Sequence, residues 1–356
     1  MATGWPMKTT YANGDVYSAS DVNDITGTIN LLGSSVAYTA GKNKILNSDF
    51  RIWQRGTSFT ATGYTADRWL VDYNGTGATN TVSQQTFTPG TAPVAGYEGT
   101  YFYRFACSVA GTGNTYKTIN QRIEDVRVFA GQTVTVSFWA KAAATTTINN
   151  IYLAQVFGSG GSGDVNTNVA STTTLTTSWQ RFSYSVANPS ISGKTIGTNS
   201  WLGLQFNLPT NATFTVDFWG VQVEAGSTAT AFQTATGTIQ GELGACQRYY
   251  FRTTAGQSSG ALSTLGSVVS TILMESGYQF PVPMRTSPTS LDYSNILLYQ
   301  TGASTTAVSS MGIYANYTSP LFSLINAGVA SGLTTGKQCV LVGSSSTSYI
   351  GFSAEL

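Results

Sequence analysis

Residues 133–141, TVTVSFWAK, alternate so that Val134, Val136, Phe138 and Ala140 share one face and Trp139 lies on the other. A period of two is the spacing of a pleated strand with one face buried, and no helix presents a buried face that way. Trp139 is therefore expected at a rim or an interface. Short runs of the same kind, rich in β-branched and aromatic residues, recur at 101–109, 148–157, 179–186, 200–207 and 213–223. Gly, Pro, Asn and Ser separate them, as at 158–163 and Asn188-Pro189, which is how strands are divided by turns.

Composition points the same way. Only 9% of residues are charged, against about 25% in an average globular protein. Helical proteins coat their surfaces with Glu, Lys and Arg; this chain uses Thr, Ser, Asn and Gly, which suit pleats and turns. A hydrophobic share of 41% is enough to build cores. The fold class expected is all-β. Residues 43–236 form a two-sheet jelly roll of roughly seven or eight strands, and residues 251–356 form a smaller β-domain. Strand candidates in that smaller domain are 268–274, 278–282, 296–299, 312–317 and 339–343.

The two ends of the sandwich carry helical spacing. Residues 1–19 read as an extended arm with a turn at Asn13-Gly14-Asp15. Ser20 can N-cap a helix with Asp21 in its first turn. Val22, Ile25, Ile29, Leu32 and Val36 follow at spacings of 3, 4, 3 and 4, a heptad seam. Two readings fit: an amphipathic helix lying on its own domain, or a short parallel oligomer stem. The position ahead of the first folded domain favours the stem, although Gly27 and Gly33 weaken the helix. Residues 1–42 are thus an attachment arm and oligomerising helix, broken by Gly41-Lys42-Asn43-Lys44. In 237–250, Ile239, Leu243, Cys246 and Tyr250 recur at 4, 3 and 4, which reads as a helical connector.

Several chemistries are excluded. The chain has no histidine, so Ser–His–Asp and Cys–His nucleophiles and His-ligated zinc are absent. Cys107, Cys246 and Cys339 fit no metal or disulfide spacing, in keeping with synthesis in a reducing cytosol. Net charge is +1 with no basic block, so nucleic acid is not an expected partner. No apolar run reaches the roughly 18 residues of a membrane span.

Six stretches occur in an order that resembles virion proteins of tailed bacteriophages, in particular tail fibres and related appendages. They are 10–23 (TYANGDVYSASDVN), 45–56 (ILNSDFRIWQRG), 64–69 (YTADRW), 121–141 (QRIEDVRVFAGQTVTVSFWAK), 218–232 (FWGVQVEAGSTATAF) and 241–250 (GELGACQRYY). The resemblance implies an N-terminal part that docks to other virion proteins of tail, baseplate or capsid. A carbohydrate-binding-module-like jelly roll and a β-rich tip would follow, in a homotrimer that adsorbs to a host-surface glycan. A capsid or tail decoration protein without a receptor role is the alternative, and a polysaccharide-degrading spike is the second.

The residue chemistry weighs more toward binding than catalysis. Phe50, Trp53, Arg55, Asp67, Arg68 and Trp69 fill one short window. They suit a sugar platform or, as the position at a domain start favours, a seam pinning the first strands of the sandwich. Jelly-roll carbohydrate-binding modules often hold a calcium between first and last strands, and Asn47, Asp49, Asp217 and Glu224 would be its ligands here. Arg51 stands where such modules commonly place a glutamate, which argues against the ion, so no cofactor is expected. Glu124 and Asp125 are adjacent, and strand neighbours point to opposite faces, so salt pairing with Arg122 or Arg127 fits better than acid–base work. No enzyme is expected. Tyr278, Tyr293, Tyr299, Tyr314, Tyr317 and Tyr349 are the candidate ligand contacts, set against a reading in which half of them are core or interface residues.

Overall fold

The computed structural model describes residues 41–356 apart from Ala95; Val22, Ile25, Ile29, Leu32 and Val36 and the arm before them lie outside the described residues. Those described are almost entirely strand and turn, with one α-helix among them. Two six-stranded sheets come first. The first sheet runs Ser58–Phe59, Thr79–Thr86, Tyr101–Val109, Phe214–Ala225, Thr133–Ala142, Gln180–Ala187 in spatial order. The second runs Val165–Ala170, Ile151–Val156, Trp201–Asn207, Lys117–Glu124, Leu70–Tyr73, Gly63–Tyr64. All neighbours in both sheets are antiparallel.

The alternation that defines 133–141 places Val134, Val136 and Phe138 in the core between the sheets. They meet Leu202, Leu204 and Phe206 from Trp201–Asn207 and Ile151 and Leu153 from Ile151–Val156. Phe138 and Phe206 touch edge to face at 5.0 Å, a favoured geometry for aromatic pairs.

Trp139 departs from expectation. It is buried, not at a rim, in a second aromatic cluster with Phe87, Phe102, Trp219 and Phe232 on the outer face of the first sheet. Its register partner is Trp219, and Arg181 lies over its ring. The register of Phe214–Ala225 slips between Trp219 and Gln222, where Gly220 has φ +61° and a Cβ would meet the Trp139 ring at 2.8 Å. A bulge built on glycine lets the two indoles close on each other.

A separate core lies in the C-terminal part. Six strands close a barrel in the order Gly266–Ser270, Leu273–Gln279, Phe322–Val329, Thr306–Ile313, Ile296–Gln300, Gln338–Gly343. A three-stranded sheet, Tyr250–Thr254, Tyr349–Ser353, Ser290–Ser294, packs beside it. Residues 268–274, expected as one strand, turn at Thr271-Ile272 into a hairpin. Residues 312–317 end as a strand followed by the 3-10 turn Ala315–Tyr317.

The helix Ile239–Gln247 starts at Thr238, whose side chain accepts from the Gly241 N–H. Its buried face follows the spacing only in part, at Cys246 and Tyr250. Ile239 and Leu243 are exposed, Glu242 and Cys246 are buried, and Tyr250 opens the next strand. Glu242 is drawn inward because it accepts from the backbone N–H of Asn47 at 2.8 Å and of Thr236 at 2.7 Å.

Candidate functional site: an open groove on the second sheet

Alternation along the second sheet sends Ile119, Ile123, Leu202, Leu204 and Phe206 into the core. The intervening positions face outward, and their registers set them in rows across the strands. One row is Leu70, Asn120, Gln205, Tyr152, Asn168. The next is Arg122, Gly203, Ala154, Asn166. Small residues in the second row make a depression, and the Trp201 indole lies over it: a Cβ at Gly203 would meet Cζ3 of Trp201 at 2.5 Å.

A cleft of about 260 Å³ results, walled by Asp72, Tyr116, Asn120, Arg122, Trp201 and Gln205. It adjoins a second cleft of about 460 Å³ that shares Tyr116 and adds Asn150, Tyr152 and Asn207. The polar groups are pre-set. The Gln205 amide donates to Asn207 Oδ1 at 2.8 Å, and the Asn207 amide donates to the Asn150 carbonyl at 3.0 Å. The Tyr116 hydroxyl donates to Asp72 Oδ1 at 3.5 Å. The Arg122 guanidinium stands 4.8 Å from the Trp201 ring and donates to the Leu356 carbonyl. An open channel with an aromatic plate, amides and one carboxylate matches a polyhydroxylated ligand whose ring faces are apolar and whose rims bond in every direction. This site was missed from sequence. Its signal was present in Trp201-Leu202-Gly203-Leu204-Gln205-Phe206-Asn207, where every outward residue is aromatic, absent or an amide.

The window at 50–69 forms a different structure. Phe50 and Trp69 are buried against Tyr103, with ring centroids 5.1 and 6.4 Å away, and Trp53 stacks on the same ring at 5.7 Å. Arg55 and Arg68 reach out of the sandwich and both pair with Glu355 near the end of the chain. Each guanidinium lies on a tyrosine, Arg55 on Tyr250 at 3.6 Å and Arg68 on Tyr249 at 3.5 Å. Asp67 accepts from the Gln54 N–H at 2.9 Å and from its side-chain amide. Arg252 donates to the Gln54 carbonyl at 2.7 Å. The residues expected to pin the first strands therefore also tie the sandwich to the barrel region. Burial pushes the Asp67 carboxyl up against the pull of Arg55, and pushes both guanidiniums below their ordinary value.

The four residues weighed for calcium are each engaged by protein donors. Asn47 bonds Ile52 and Asp67. Asp49 holds Arg51 at 2.6 Å and the Tyr97 hydroxyl at 2.7 Å. Asp217 is clamped by Arg104 through two bonds of 2.7 and 2.9 Å. Glu224 takes Lys42, Thr230 and Gln222. Among the described residues no cluster of three Asp, Glu, Cys or His is placed to hold a metal. Asp125 pairs with Arg127 at 2.9 Å, while Glu124 pairs with Arg248 instead of Arg122.

The tyrosines do not converge. Tyr278 is core, packed on Phe352 at 4.7 Å. Tyr349 lies under the Arg252 guanidinium. Tyr293, Tyr299 and Tyr317 are exposed on separate elements. Tyr314 and Tyr317 meet edge to face at 6.4 Å, and a bond to Glu275 raises the Tyr314 hydroxyl above its ordinary value.

No family model and no curated protein matches the sequence. Among solved structures the chain is similar to one described as "CBM4 structure and function", at 22% identity over 51% of this chain and 98% of that one, with a TM-score of 0.31. It is similar to the enzymatically active domain of bacteriophage CBA120 tailspike protein 4 at 15% identity, over 52% of this chain and 22% of that one, with a TM-score of 0.31. A xylan-binding domain from Paenibacillus barcinonensis matches at 13% identity over 54% of this chain and 99% of that one, with a TM-score of 0.32.

Proposed function

We propose that the chain is a tailed-phage virion protein, a homotrimeric fibre-like appendage that adsorbs to a host-surface glycan through the groove on its second sheet. The observation that carries this reading is the Trp201 plate over Gly203, flanked by Asn120, Gln205, Asp72 and Arg122. Sugar rings stack on such a plate while amides and charges bond their hydroxyls. Asp72 is the one carboxylate lining either cleft. Glycosidic cleavage ordinarily uses two flanking carboxyl groups, so the groove suits binding and not hydrolysis. Three such sites on one body turn weak contacts into firm adsorption, with residues 1–42 docking to the particle and trimerising.

The test is retention on immobilised host polysaccharide. Wild-type protein is expected to bind, and Trp201→Ala to lose at least about tenfold, roughly 1.4 kcal/mol, with an unchanged melting curve. Equal binding by Trp201→Ala sinks the groove. Release of reducing ends from the polysaccharide would revive cleavage. Phage carrying Trp201→Ala that adsorb normally would transfer the role to decoration. Light scattering should give a trimer that deletion of residues 20–36 reduces to a monomer.

A further inference from the structure

Lys117 and Cys107 face each other inside the sandwich, away from the interdomain seam and beneath the second cleft, which Lys117 helps to line. Lys117 is fully buried and Cys107 is 2% exposed. The lysine stands on the inward face of Lys117–Glu124, in phase with Ile119 and Ile123, and the Leu208 N–H fixes its carbonyl at 2.8 Å. Its Nζ lies 3.1 Å from Cys107 Sγ. The Phe214 and Phe105 rings flank it at 5.3 and 5.8 Å. Among the described residues no carboxylate pairs with it, although an unpaired buried ammonium is costly. Ion pairing thus does not account for a lysine in this core, whereas its contact with sulfur is direct.

We propose that Cys107 and Lys117 form an oxidative sulfur–nitrogen cross-link that staples the two sheets together. Cys107 belongs to the first sheet and Lys117 to the second, so one bond would do here what an inter-sheet disulfide does in other sandwiches. The oxidant is a peroxide, small enough for the cleft that opens beside Lys117, Tyr116 and Leu208. The thiolate sulfur attacks one peroxide oxygen, the O–O bond breaks, and the departing hydroxide takes a proton to leave water and a sulfenic acid. The Lys117 amine, as its free base, then attacks Sγ. The S–O bond breaks, and the leaving hydroxide takes one N–H proton as a second water. Sulfur loses two electrons and peroxide gains them: thiol, amine and peroxide become a sulfenamide and two waters. Cys246 and Cys339 are also buried free thiols, yet no lysine contacts them among the described residues, so they serve as internal controls.

The experiment treats the full chain with hydrogen peroxide in mildly alkaline buffer, quenches, alkylates free thiols and digests with trypsin. Cleavage after Arg104 and Arg122 is available in all forms, and cleavage after Lys117 only while its amine is free. The cross-link is expected to give an uncut 105–122 peptide, unalkylated and two hydrogens lighter than the reduced form. Dithiothreitol should restore cleavage after Lys117. Full yields of 105–117 and 118–122, with Cys107 alkylated or carried on to sulfinic or sulfonic acid, overturn the proposal. Because this readout is made on the wild-type chain, it does not depend on any variant folding. The peroxide-treated protein should also melt several degrees above the reduced one; a cross-link without that rise overturns the stapling role.

Discussion

Arg68 is fully buried yet carries a charge, and its position shows how single residues decide this fold. Its partners are Glu355, the Arg122 carbonyl at 2.5 Å and the face of Tyr249. Removing Arg68 leaves the buried Glu355 with Arg55 as its one remaining cation and strips the cation from the Tyr249 face. Arg68→Ala is therefore expected to cost roughly 3–5 kcal/mol in denaturant titration. Arg68→Met with Glu355→Leu would still leave Arg55 without its acid, so the triple variant with Arg55→Met, in which all three charges go together, should recover much of that loss. The triple variant melting no better than the single would show that packing, not charge, holds the seam. Asn47, Asp49, Asp217 and Glu224 make a further prediction. Their oxygens are already filled by protein donors, so a calcium chelator should leave the melting temperature unchanged, and a fall would restore the ion.

At the scale of the element, Glu224 closes the end of Phe214–Ala225 onto the turn that follows. Burial pushes its carboxyl up, but the Thr230 N–H and hydroxyl, Gln222 and Lys42 outweigh burial and hold it below the ordinary value of 4.5. A depressed carboxyl contributes fully above its ordinary value, and that contribution is lost as pH falls through the lower folded value. Glu224→Gln should flatten the acid limb of stability and cost roughly 1.5–3 kcal/mol at neutral pH, from lost charged hydrogen bonds. Asp67 and Glu242, both raised by burial, act with the opposite sign, so comparing Glu224→Gln with wild type isolates the effect. On the groove strand, Gly203→Val should lift the Trp201 ring and abolish the proposed glycan retention while costing less stability than a core change; retained binding would mean the plate is not the contact. The strands themselves were legible where one face is apolar, as in 133–141 and 200–207. The 268–274 run was not, because its central turn carries Ile272 exposed to solvent, an apolar residue that reads as strand.

At the scale of the whole molecule, two cores are joined by a polar seam. Arg55 and Arg68 reach Glu355, Arg122 and Tyr64 reach the Leu356 carbonyl, and Arg285 donates to the Ala354 carbonyl at 2.9 Å. Calorimetry is expected to show one cooperative transition for the wild type and two for Glu355→Ala. Two transitions already in the wild type would mean the seam does not couple the cores. By itself the sequence determined the all-β class, the inward face of the cleanest strands and the absence of histidine chemistry. Those follow from local periodicity and residue type, which need no partner. Only the tertiary structure decided that Trp139 is buried, that Tyr278 is core, and that the arginines near residue 60 answer to an acid at 355. It also set Trp201 over Gly203 and Lys117 against Cys107. Each of these rests on contacts between residues distant in sequence or on strands of different sheets, and no local pattern encodes them.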